Sequence, residues 1–423
     1  MVKPENCNNG KKTVLVNDLE KSRAALKNIN WNFYEKSVFS PHEMRPFKCS
    51  TYHWCPATFI PEIPFTLIEV LTLPNAVVYD PFAGMGTTYF QALLLNRKPL
   101  TTDICNVNVE FMRSLFILLN PLADLNTSRE KVKLIISRFD ETKNYTLVEQ
   151  GGIQMSELRP WYSSKTFNQL AFLFDEHAKC DDPVTKAAMW ISISSIMETV
   201  SSQERGWGCI ADNVLPKPEQ IKDHEVISLF AGRSNRLIMD VSNHLKLALP
   251  GYSEVYAELS AQQTILRKDV RECTEIEEES ADLVVTSPPY PNMTDYVKSR
   301  RLSYYFLGID ASADLKVEIG ARSRRQTKDS LDRYTSDMQR ANEVIAKKVK
   351  RGGYVCYVMP VFDTDNDNNT SRKRVVQKVM SKLEDCDLTK EEEFERILPK
   401  LRRGHNAKWA TLERERIYLF RKV

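Results

Sequence analysis

The feature that most constrains the fold is a strand, a glycine-bearing turn and a helix, which follow one another in NAVVYDPFAGMGTTYFQALLLNRKPLTTDICN, residues 75–106. The apolar run 76–79 predicts a buried strand, and the apolar residues at helical spacing after Thr87 predict a helix. Gly84 and Gly86 give the turn conformational freedom and let its backbone approach a ligand closely. The sequence therefore predicts an α/β protein with a ligand-binding turn.

A second predicted strand, 99–102, places Asp103 at its carboxyl end. An acidic residue at the end of the second strand is the usual partner of ribose hydroxyls, and the first turn of the preceding helix offers free amide groups to an anion. The dinucleotide fingerprint G-x-G-x-x-G is absent because Gly86 is followed by Thr87, Thr88 and Tyr89. The pattern indicates a ribose-bearing cofactor other than a nicotinamide.

The other informative stretch is ADLVVTSPPYPNMTDY, residues 281–296. Its apolar run 281–285 predicts a short buried strand, which must end at prolines that cannot continue a hydrogen-bonded ladder. In an open α/β sheet, ligands bind outside the carboxyl ends of the strands. The stiff Ser-Pro-Pro-Tyr loop at this strand end is therefore a candidate site, although a loop that merely ends a strand is the simpler interpretation of this motif alone.

Length and composition limit the class of protein. A chain of 423 residues with 42% hydrophobic content can form two or three domains, or one large domain with an insertion. No stretch approaches the roughly 18 uninterrupted apolar residues of a membrane helix, and the first residues lack the pattern of a secretory signal, so we expect a cytoplasmic protein that does not contact a membrane. The nine cysteines contain no C-x-x-C pair. We therefore expect reduced, mostly buried thiols and no metal site.

The charge distribution is locally uneven. The formal net charge is only +3, so the chain lacks the overall basic character of a tail-driven nucleic-acid binder. Basic residues nevertheless outnumber acidic ones between 296 and 328, where GARSRRQTK predicts a loop that could meet phosphates. A solvated basic surface without a ligand is the alternative interpretation.

Taken together, the two stretches resemble one family. DPFAGMGTT resembles the AdoMet-binding loop, and TSPPY the catalytic loop, of the amino methyltransferases that modify exocyclic nitrogens of DNA bases. In that family, Ser before the two prolines is more typical of cytosine-N4 enzymes, and Asp or Asn of adenine-N6 enzymes. Residues 52–71, 266–285, 349–360 and the final strand also resemble family segments, in the order in which the cofactor loop precedes the catalytic loop.

The resemblance implies a fold and a division of the chain. The fold is an α/β, Rossmann-like sheet of an AdoMet-dependent methyltransferase with a large, mostly helical insertion. Residues 1–45 are expected to form an N-terminal arm, which either covers the active site or packs on the core. Residues 46–106 and 262–423 are expected to form the catalytic domain, and 107–261 the helical insertion.

The insertion is where this chain departs from the family. Relatives with the cofactor loop first usually carry the target-recognition region between the third strand and the catalytic loop, but here the large block lies between the second and third strands. Its segments TFNQLAFLFDEHAK and DPVTKAAMWISISSIMETVSS have helical apolar spacing. We expect this block to dock DNA and recognise the target. A structural cap over the cofactor is the alternative, with recognition by the basic loop 320–328.

The resemblance also implies the roles of individual residues. The catalytic residues are expected to be Ser287, Pro288, Pro289 and Tyr290. The cofactor-binding residues are expected to be His53, Asp80, Phe82, Gly84, Gly86, Thr87, Asp103 and Asp269. Candidate DNA-binding residues have side chains suited to base edges, stacking or phosphate, namely Arg205, Trp207, Asn213, Lys217, Arg300, Arg301, Arg322, Arg324 and Arg325.

The implied activity is transfer of a methyl group from S-adenosyl-L-methionine (AdoMet) to the N4 amino group of cytosine in double-stranded DNA, with the target base flipped out of the helix. The expected setting is a restriction-modification system, with an endonuclease of the same sequence specificity as a partner. Adenine-N6 methylation is the chemically close alternative. RNA methylation and a non-catalytic DNA-binding scaffold are further alternatives.

Overall fold

The computed structural model describes residues 24–33, 46–55, 58–145, 155–203, 215–363, 367–398 and 412–423. Within these ranges, no helix has both the length and the apolar character needed to cross a membrane. The seven cysteines of these ranges are free thiols, and four of them, Cys49, Cys105, Cys273 and Cys356, are buried.

A seven-stranded sheet forms the centre of the molecule, with the strand order β3-β2-β1-β4-β5-β7-β6. Neighbouring strands from β3 to β5 are parallel, whereas β7 runs antiparallel to both β5 and β6. This mostly parallel sheet confirms the predicted Rossmann-like α/β fold. The strands are β1 Val77–Asp80, β2 Lys98–Asp103, β3 Ile265–Arg267, β4 Ala281–Thr286, β5 Val349–Val361, β6 Leu388–Ile397 and β7 Arg414–Lys422.

The first two strands and β4 lie within one residue of the predicted bounds, because their apolar and β-branched residues are buried between helices. In β4, five of six residues are buried, as expected for a central parallel strand. The described helices are Glu62–Leu71, Thr87–Leu94, Asn106–Leu118, Leu125–Ser137, Met155–Leu158, Ser164–Lys179, Pro183–Met197, Val226–Lys246, Tyr252–Ser260, Arg301–Leu307, Ser312–Val317, Ser330–Lys348 and Asp367–Glu384.

Helices cover both faces of the sheet. The helix Glu62–Leu71 packs on the face that carries Val78, Leu283 and Cys356. On the opposite face, Tyr79, Val284 and Tyr357 pack with residues of the helices Ser330–Lys348 and Asp367–Glu384. This three-layer arrangement explains the near-continuous apolar sequences of the central strands.

The block between β2 and β3 is helical, as its apolar spacing predicts. Two of its helices, Ser164–Lys179 and Pro183–Met197, include most of the segments predicted from sequence, and Ser163 and Asp182 cap their first turns. Its side chains share one buried cluster with Phe90 of the helix after β1 and with Tyr304 of the helix Arg301–Leu307. The block is therefore packed against the elements that carry the two loops. Its role in DNA recognition stays a prediction.

The described part of the predicted N-terminal arm packs on the core. Leu26 and Trp31 are buried, and the Trp31 ring stacks on Phe394 of β6 with a centroid distance of 5.2 Å. The Asn32 Oδ1 atom accepts a hydrogen bond of 2.7 Å from the Ile397 amide. Residues 24–33 thus pack against β6, the edge strand of the sheet.

Candidate active site

A cavity opens at the carboxyl ends of the parallel strands. It lies where the strand order reverses, because β1 is flanked by β2 on one side and by β4 on the other. The cavity is lined by the loops that follow four strands, and these include residues 81–85 after β1, Asp103–Cys105 after β2, Lys268–Val270 after β3, and Ser287 and Pro289 after β4. The structure thus brings together the two motifs that the sequence singled out.

The loop after β1 turns sharply at its two glycines. Gly84 and Gly86 have φ angles of +52° and +77°, in the left-handed region that favours glycine. A Cβ atom on Gly86 would lie 2.8 Å from the Met112 side chain, whereas one on Gly84 would meet nothing within 4 Å. Gly86 is therefore required by packing as well as by conformation, and Gly84 leaves open space beside the cavity. Phe82 and Thr87 also line the cavity.

Asp80 lies behind the cavity wall and joins two loops. Its Oδ1 atom accepts hydrogen bonds from the Phe82 amide, 3.2 Å, and from the Thr286 hydroxyl, 2.6 Å. Burial raises the pKa of this carboxyl to about 6, against the hydrogen bond from Thr286. Asp80 therefore holds the loop after β1 against the end of β4. It is not among the residues that line the cavity, and its contact with a cofactor stays a prediction.

Asp103 lines the cavity at the end of β2, with both carboxylate oxygens engaged by backbone amides. The Gly84 amide donates to Oδ2, 2.7 Å, and the Cys105 amide donates to Oδ1, 2.7 Å. Burial raises the pKa of Asp103 to about 6, and these hydrogen bonds oppose the increase. The acid at the end of β2 thus fixes the glycine loop while it faces the cavity.

Asp269 lines the cavity at the end of β3, and Arg271 occupies its carboxylate. The Arg271 guanidinium donates to Oδ1, 3.0 Å, and to Oδ2, 2.5 Å. It also bonds Asp337 on the helix Ser330–Lys348 and donates 2.7 Å to the Val317 carbonyl. Arg271 therefore connects the end of β3 to residues 317–319, which also line the cavity.

His53 lies outside the cavity lining, in a buried network next to it. The Arg300 Nη1 atom is 2.6 Å from His53 Nδ1. The Trp54 carbonyl lies 3.0 Å from the same Nδ1 atom, and the Ser194 hydroxyl lies 2.7 Å from Nε2. Burial and then Arg300 lower the pKa of His53 well below its usual range, so the ring is neutral. A contact between His53 and a cofactor stays a prediction.

The Ser287–Tyr290 loop is held in place by hydrogen bonds to three distant segments. The Ser287 hydroxyl donates to the Val358 carbonyl of β5, 3.2 Å, and the Pro289 carbonyl accepts from the Tyr334 hydroxyl, 2.9 Å. The Tyr290 hydroxyl donates to Glu415 Oε1 on β7, 2.8 Å. Ser287 and Pro289 line the cavity, and Tyr290 is 7% exposed.

Sequence reasoning missed Glu415 and Arg396, which support Tyr290. Arg396 of β6 pairs with Glu415 at 3.2 Å, with Arg396 1% and Glu415 8% exposed. Burial raises the pKa of Glu415, and Arg396 and Tyr290 oppose the increase. The alternating charges of the last strand did not predict a buried Glu415, because a strand exposed to solvent has the same charge pattern.

Two comparisons with known proteins indicate the class of protein that this chain resembles. A model of the DNA methylase family, of the N6/N4 class, matches residues 5–116, which contain the glycine loop and β2 but end before β3. Type II methyltransferase M.BsoBI from Geobacillus stearothermophilus is 24% identical over 270 residues, which cover 60% of this chain and 51% of that protein. The chain is similar to the DNA methylases. Both matches support the resemblance to amino DNA methyltransferases, and the chain spans about half the length of M.BsoBI.

The basic residues predicted to bind DNA differ in their exposure to solvent and in their contacts. Arg300 is only 3% exposed, and Arg301 lies 4.1 Å from the centre of the Trp161 ring. Arg322 and Arg324 begin and end a 3-10 turn, and Arg324 donates to the carbonyls of Leu315, Lys316 and Glu318. Lys217 and Arg325 are exposed, and Arg205, Trp207 and Asn213 lie outside the described residues. DNA binding by this set stays a prediction.

Glu318 is a further cavity residue that the sequence did not single out. It is 2% exposed, and its Oε1 atom accepts a hydrogen bond of 2.6 Å from the Tyr296 amide. Burial raises its pKa to about 7, against the hydrogen bond from Tyr296. Across the described ranges, no group of three or more His, Cys, Asp or Glu side chains is arranged to hold a metal ion.

Proposed function

We propose that this chain is a DNA methyltransferase that transfers a methyl group from AdoMet to the exocyclic N4 of cytosine in a short, specific duplex sequence. The observation that carries the proposal is the shared cavity. Ser287 and Pro289 of the Ser-Pro-Pro-Tyr loop line the same space as the glycine loop and the acids after β2 and β3. One cavity thus contains candidate groups for the cofactor and for the target amino group.

The residues of the cavity fit AdoMet. The cavity lies outside the carboxyl ends of the strands, where open α/β sheets bind their ligands. The open space beside Gly84 leaves room for the cofactor against the backbone, and Glu318 Oε2 is a buried acceptor with no hydrogen-bond partner. Phe82 and Gly84 would line the methionyl part, and Asp103 the ribose. When bound, AdoMet supplies an electrophilic methyl group on its sulfonium.

Ser287 is placed to orient an amino group. Its hydroxyl proton is directed to the Val358 carbonyl, so its lone pairs are left to accept an N–H from the target base. The cytosine N4 is a poor nucleophile because its lone pair is delocalised into the ring. Orientation by the Ser287 hydroxyl and the Pro288 carbonyl, both held by the stiff prolines, therefore lowers the barrier to direct transfer.

Tyr290 would stack on the extrahelical base. Removing a base from the duplex costs a few kcal/mol, of which stacking on an aromatic ring returns roughly 1 to 3 kcal/mol. The hydrogen bond from Tyr290 to Glu415 fixes the ring in advance, so less side-chain entropy is lost when the base arrives.

The biological setting is part of the same proposal. The name of M.BsoBI describes a type II methyltransferase. We infer that this chain likewise protects DNA as the modification enzyme of a restriction system, with an endonuclease of the same specificity as its partner. The helical insertion and the basic residues Lys217 and Arg325 provide the surface for DNA.

Nucleoside mass spectrometry on DNA from cells that express the protein tests the activity. We expect N4-methylcytosine with the wild-type chain and with Ser280→Ala, whose hydroxyl donates to the Glu277 carbonyl on the surface. We expect none with Ser287→Ala. N6-methyladenine instead would overturn the choice of base and leave the methyltransferase assignment standing. No modified base with the wild-type chain would overturn the proposed activity on DNA.

A further inference from the structure

Three acidic residues line the cavity, and they differ in what their oxygens contact. Asp103 accepts from the amides of Gly84 and Cys105, one on each oxygen. Asp269 accepts from Arg271 on both oxygens. Glu318 accepts from the Tyr296 amide on Oε1, whereas its buried Oε2 has no hydrogen-bond partner. Among the acids of this cavity, Glu318 therefore has an oxygen that makes no hydrogen bond. Burial raises the pKa of its carboxyl, and the amides of Tyr296 and Val297 both lower it.

The segment that carries Glu318 is fixed above the ends of β2 and β3. Asp314 accepts hydrogen bonds from Asn106, 3.0 Å, and from Arg267, 2.7 Å, which follow β2 and end β3 respectively. The Val317 carbonyl accepts from Arg271, 2.7 Å. These bonds place the segment over the side of the cavity that Asp103 and Asp269 line.

The chain leaves this segment through a constrained turn. Gly320 has a φ angle of +66°, and a Cβ atom there would lie 3.1 Å from the Tyr290 carbonyl oxygen. The Asn292 amide donates to the Gly320 carbonyl, 3.0 Å. The backbone on both sides of Glu318 is therefore anchored, and Glu318 itself lines the cavity.

We propose that Glu318 accepts a hydrogen bond from the adenosyl group of AdoMet, through a ribose hydroxyl or the adenine amine. This inference rests on the proposed function. A buried acceptor without a donor is costly, and a ligand donor removes that cost. In α/β folds of this kind, the ribose lies at the end of the second strand, which is the side that the Glu318 segment covers.

Calorimetric binding of two ligands tests the inference. AdoMet carries both the adenosyl and the methionyl parts, whereas 5′-methylthioadenosine retains the adenosyl group without the amino acid. We expect Glu318→Gln to weaken both ligands by roughly 10-fold or more, because an amide nitrogen replaces or competes with the free oxygen. The control is Glu69→Gln on the helix Glu62–Leu71, outside the cavity lining. It neutralises a half-buried carboxyl whose pKa burial also raises to about 7.

A third ligand distinguishes the two donors. In 5′-methylthioinosine, a carbonyl replaces the adenine amine. If the ribose is the partner, Glu318→Gln weakens this ligand as well, and if the amine is the partner, the wild-type and variant proteins bind it equally.

The outcomes separate this inference from the proposed function. Weakened AdoMet with unchanged 5′-methylthioadenosine would overturn the adenosyl contact, as would unchanged binding of both ligands to Glu318→Gln. A wild-type chain that binds neither ligand would overturn the proposed function and this inference with it. The folded state of each variant is checked by its thermal unfolding.

If Glu318→Gln fails to fold, the pH dependence of ligand affinity in the wild-type chain and in Glu69→Gln still tests the inference. The ligand 5′-methylthioadenosine is uncharged near neutral pH, so a pH-dependent affinity reports protein groups. Asp295 and Arg324 act electrostatically on Glu318, and Asp103 and Asp269 face the same cavity. We expect binding to strengthen through about pH 7, where Glu318 ionises. A pH-independent affinity in both proteins would overturn the inference.

Discussion

The Tyr290 hydroxyl donates a hydrogen bond of 2.8 Å to Glu415, a residue of the last strand of the sheet. The bond is buried, and Arg396 on the neighbouring strand pairs with the same carboxylate. The antiparallel hairpin β6–β7 thus supports the loop that the proposed chemistry uses. Because only the hydroxyl of Tyr290 makes this bond, removing the hydroxyl tests its effect on stability and turnover while the aromatic ring is kept.

Tyr290→Phe should lower both stability and turnover. The variant leaves a buried Glu415 oxygen without its donor, so the free energy of unfolding should fall by about 1 to 3 kcal/mol. The ring can still stack but is less well positioned, so kcat should fall while the affinity for AdoMet stays unchanged. Urea denaturation and initial rates of methyl transfer measure the two effects.

Tyr252→Phe is the matched control for Tyr290→Phe. The Tyr252 hydroxyl donates 2.7 Å to the Leu119 carbonyl inside the helical insertion. Its loss should lower stability by about 1 kcal/mol without a change in kcat. Equal loss of kcat in both variants would show that turnover follows stability and that Tyr290 has no positioning role.

Gly86→Ala should destabilise the fold. The residue has a φ angle of +77°, and its Cβ atom would lie 2.8 Å from Met112 Sδ and 3.0 Å from Phe90 Cε2. The left-handed conformation alone costs about 1 to 2 kcal/mol for a residue with a side chain. Gly232→Ala, in the helix Val226–Lys246 with nothing within 4 Å, should instead stabilise by about 0.5 to 1 kcal/mol. Thermal unfolding of the two variants should therefore shift in opposite directions, and a destabilised Gly232→Ala would contradict this account.

Arg271→Met should destabilise the contact between the end of β3 and residues 317–319 of the cavity lining. The guanidinium is 8% exposed and joins Asp269, Asp337 and the Val317 carbonyl. Its removal leaves the largely buried Asp269 without a cation and Asp337 with only the exposed Arg333, which should cost about 3 to 5 kcal/mol of unfolding free energy.

Arg333→Met tests the specificity of that effect. Arg333 also pairs with Asp337, at 3.8 Å, but its side chain is 51% exposed. Exposed pairs contribute about 0 to 1 kcal/mol, so this variant should resemble the wild-type chain in denaturant unfolding. Similar losses in the two variants would mean that burial of Arg271 does not decide its contribution.

Stability should fall with rising pH because of Glu318. Burial raises its pKa from 4.5 to about 7, so the folded chain holds a proton there that the unfolded chain has released. The stabilisation from this bound proton is fully present below the unfolded pKa and is lost as the pH rises through the folded pKa. The free energy of unfolding should fall by up to about 3 kcal/mol over this range. Glu318→Gln should therefore lose less stability than the wild-type chain between pH 4.5 and about 7. A constant difference between the two proteins, measured by urea denaturation across this range, would contradict the prediction.

The sequence by itself determined the local elements of this protein. The apolar runs 76–79 and 281–285 became the central strands β1 and β4, because short β-branched segments next to glycine or proline are most stable as buried strands. Gly84 and Gly86 predicted a turn that needs conformational freedom, and both have positive φ angles. Each of the two loops was predicted to follow a strand, and the carboxyl ends of parallel strands share one edge, where both loops line the cavity.

Only the tertiary structure decided which side chains face the cavity. Asp80 and Asp103 both end a strand, yet one lies behind the wall and the other lines it. Arg300 belongs to a basic stretch but is buried beside His53. Glu318 and the support of Tyr290 by Glu415 and Arg396 depend on segments far apart in the chain. Local periodicity specifies secondary structure, whereas the partner and burial of each polar side chain are fixed only when distant segments pack.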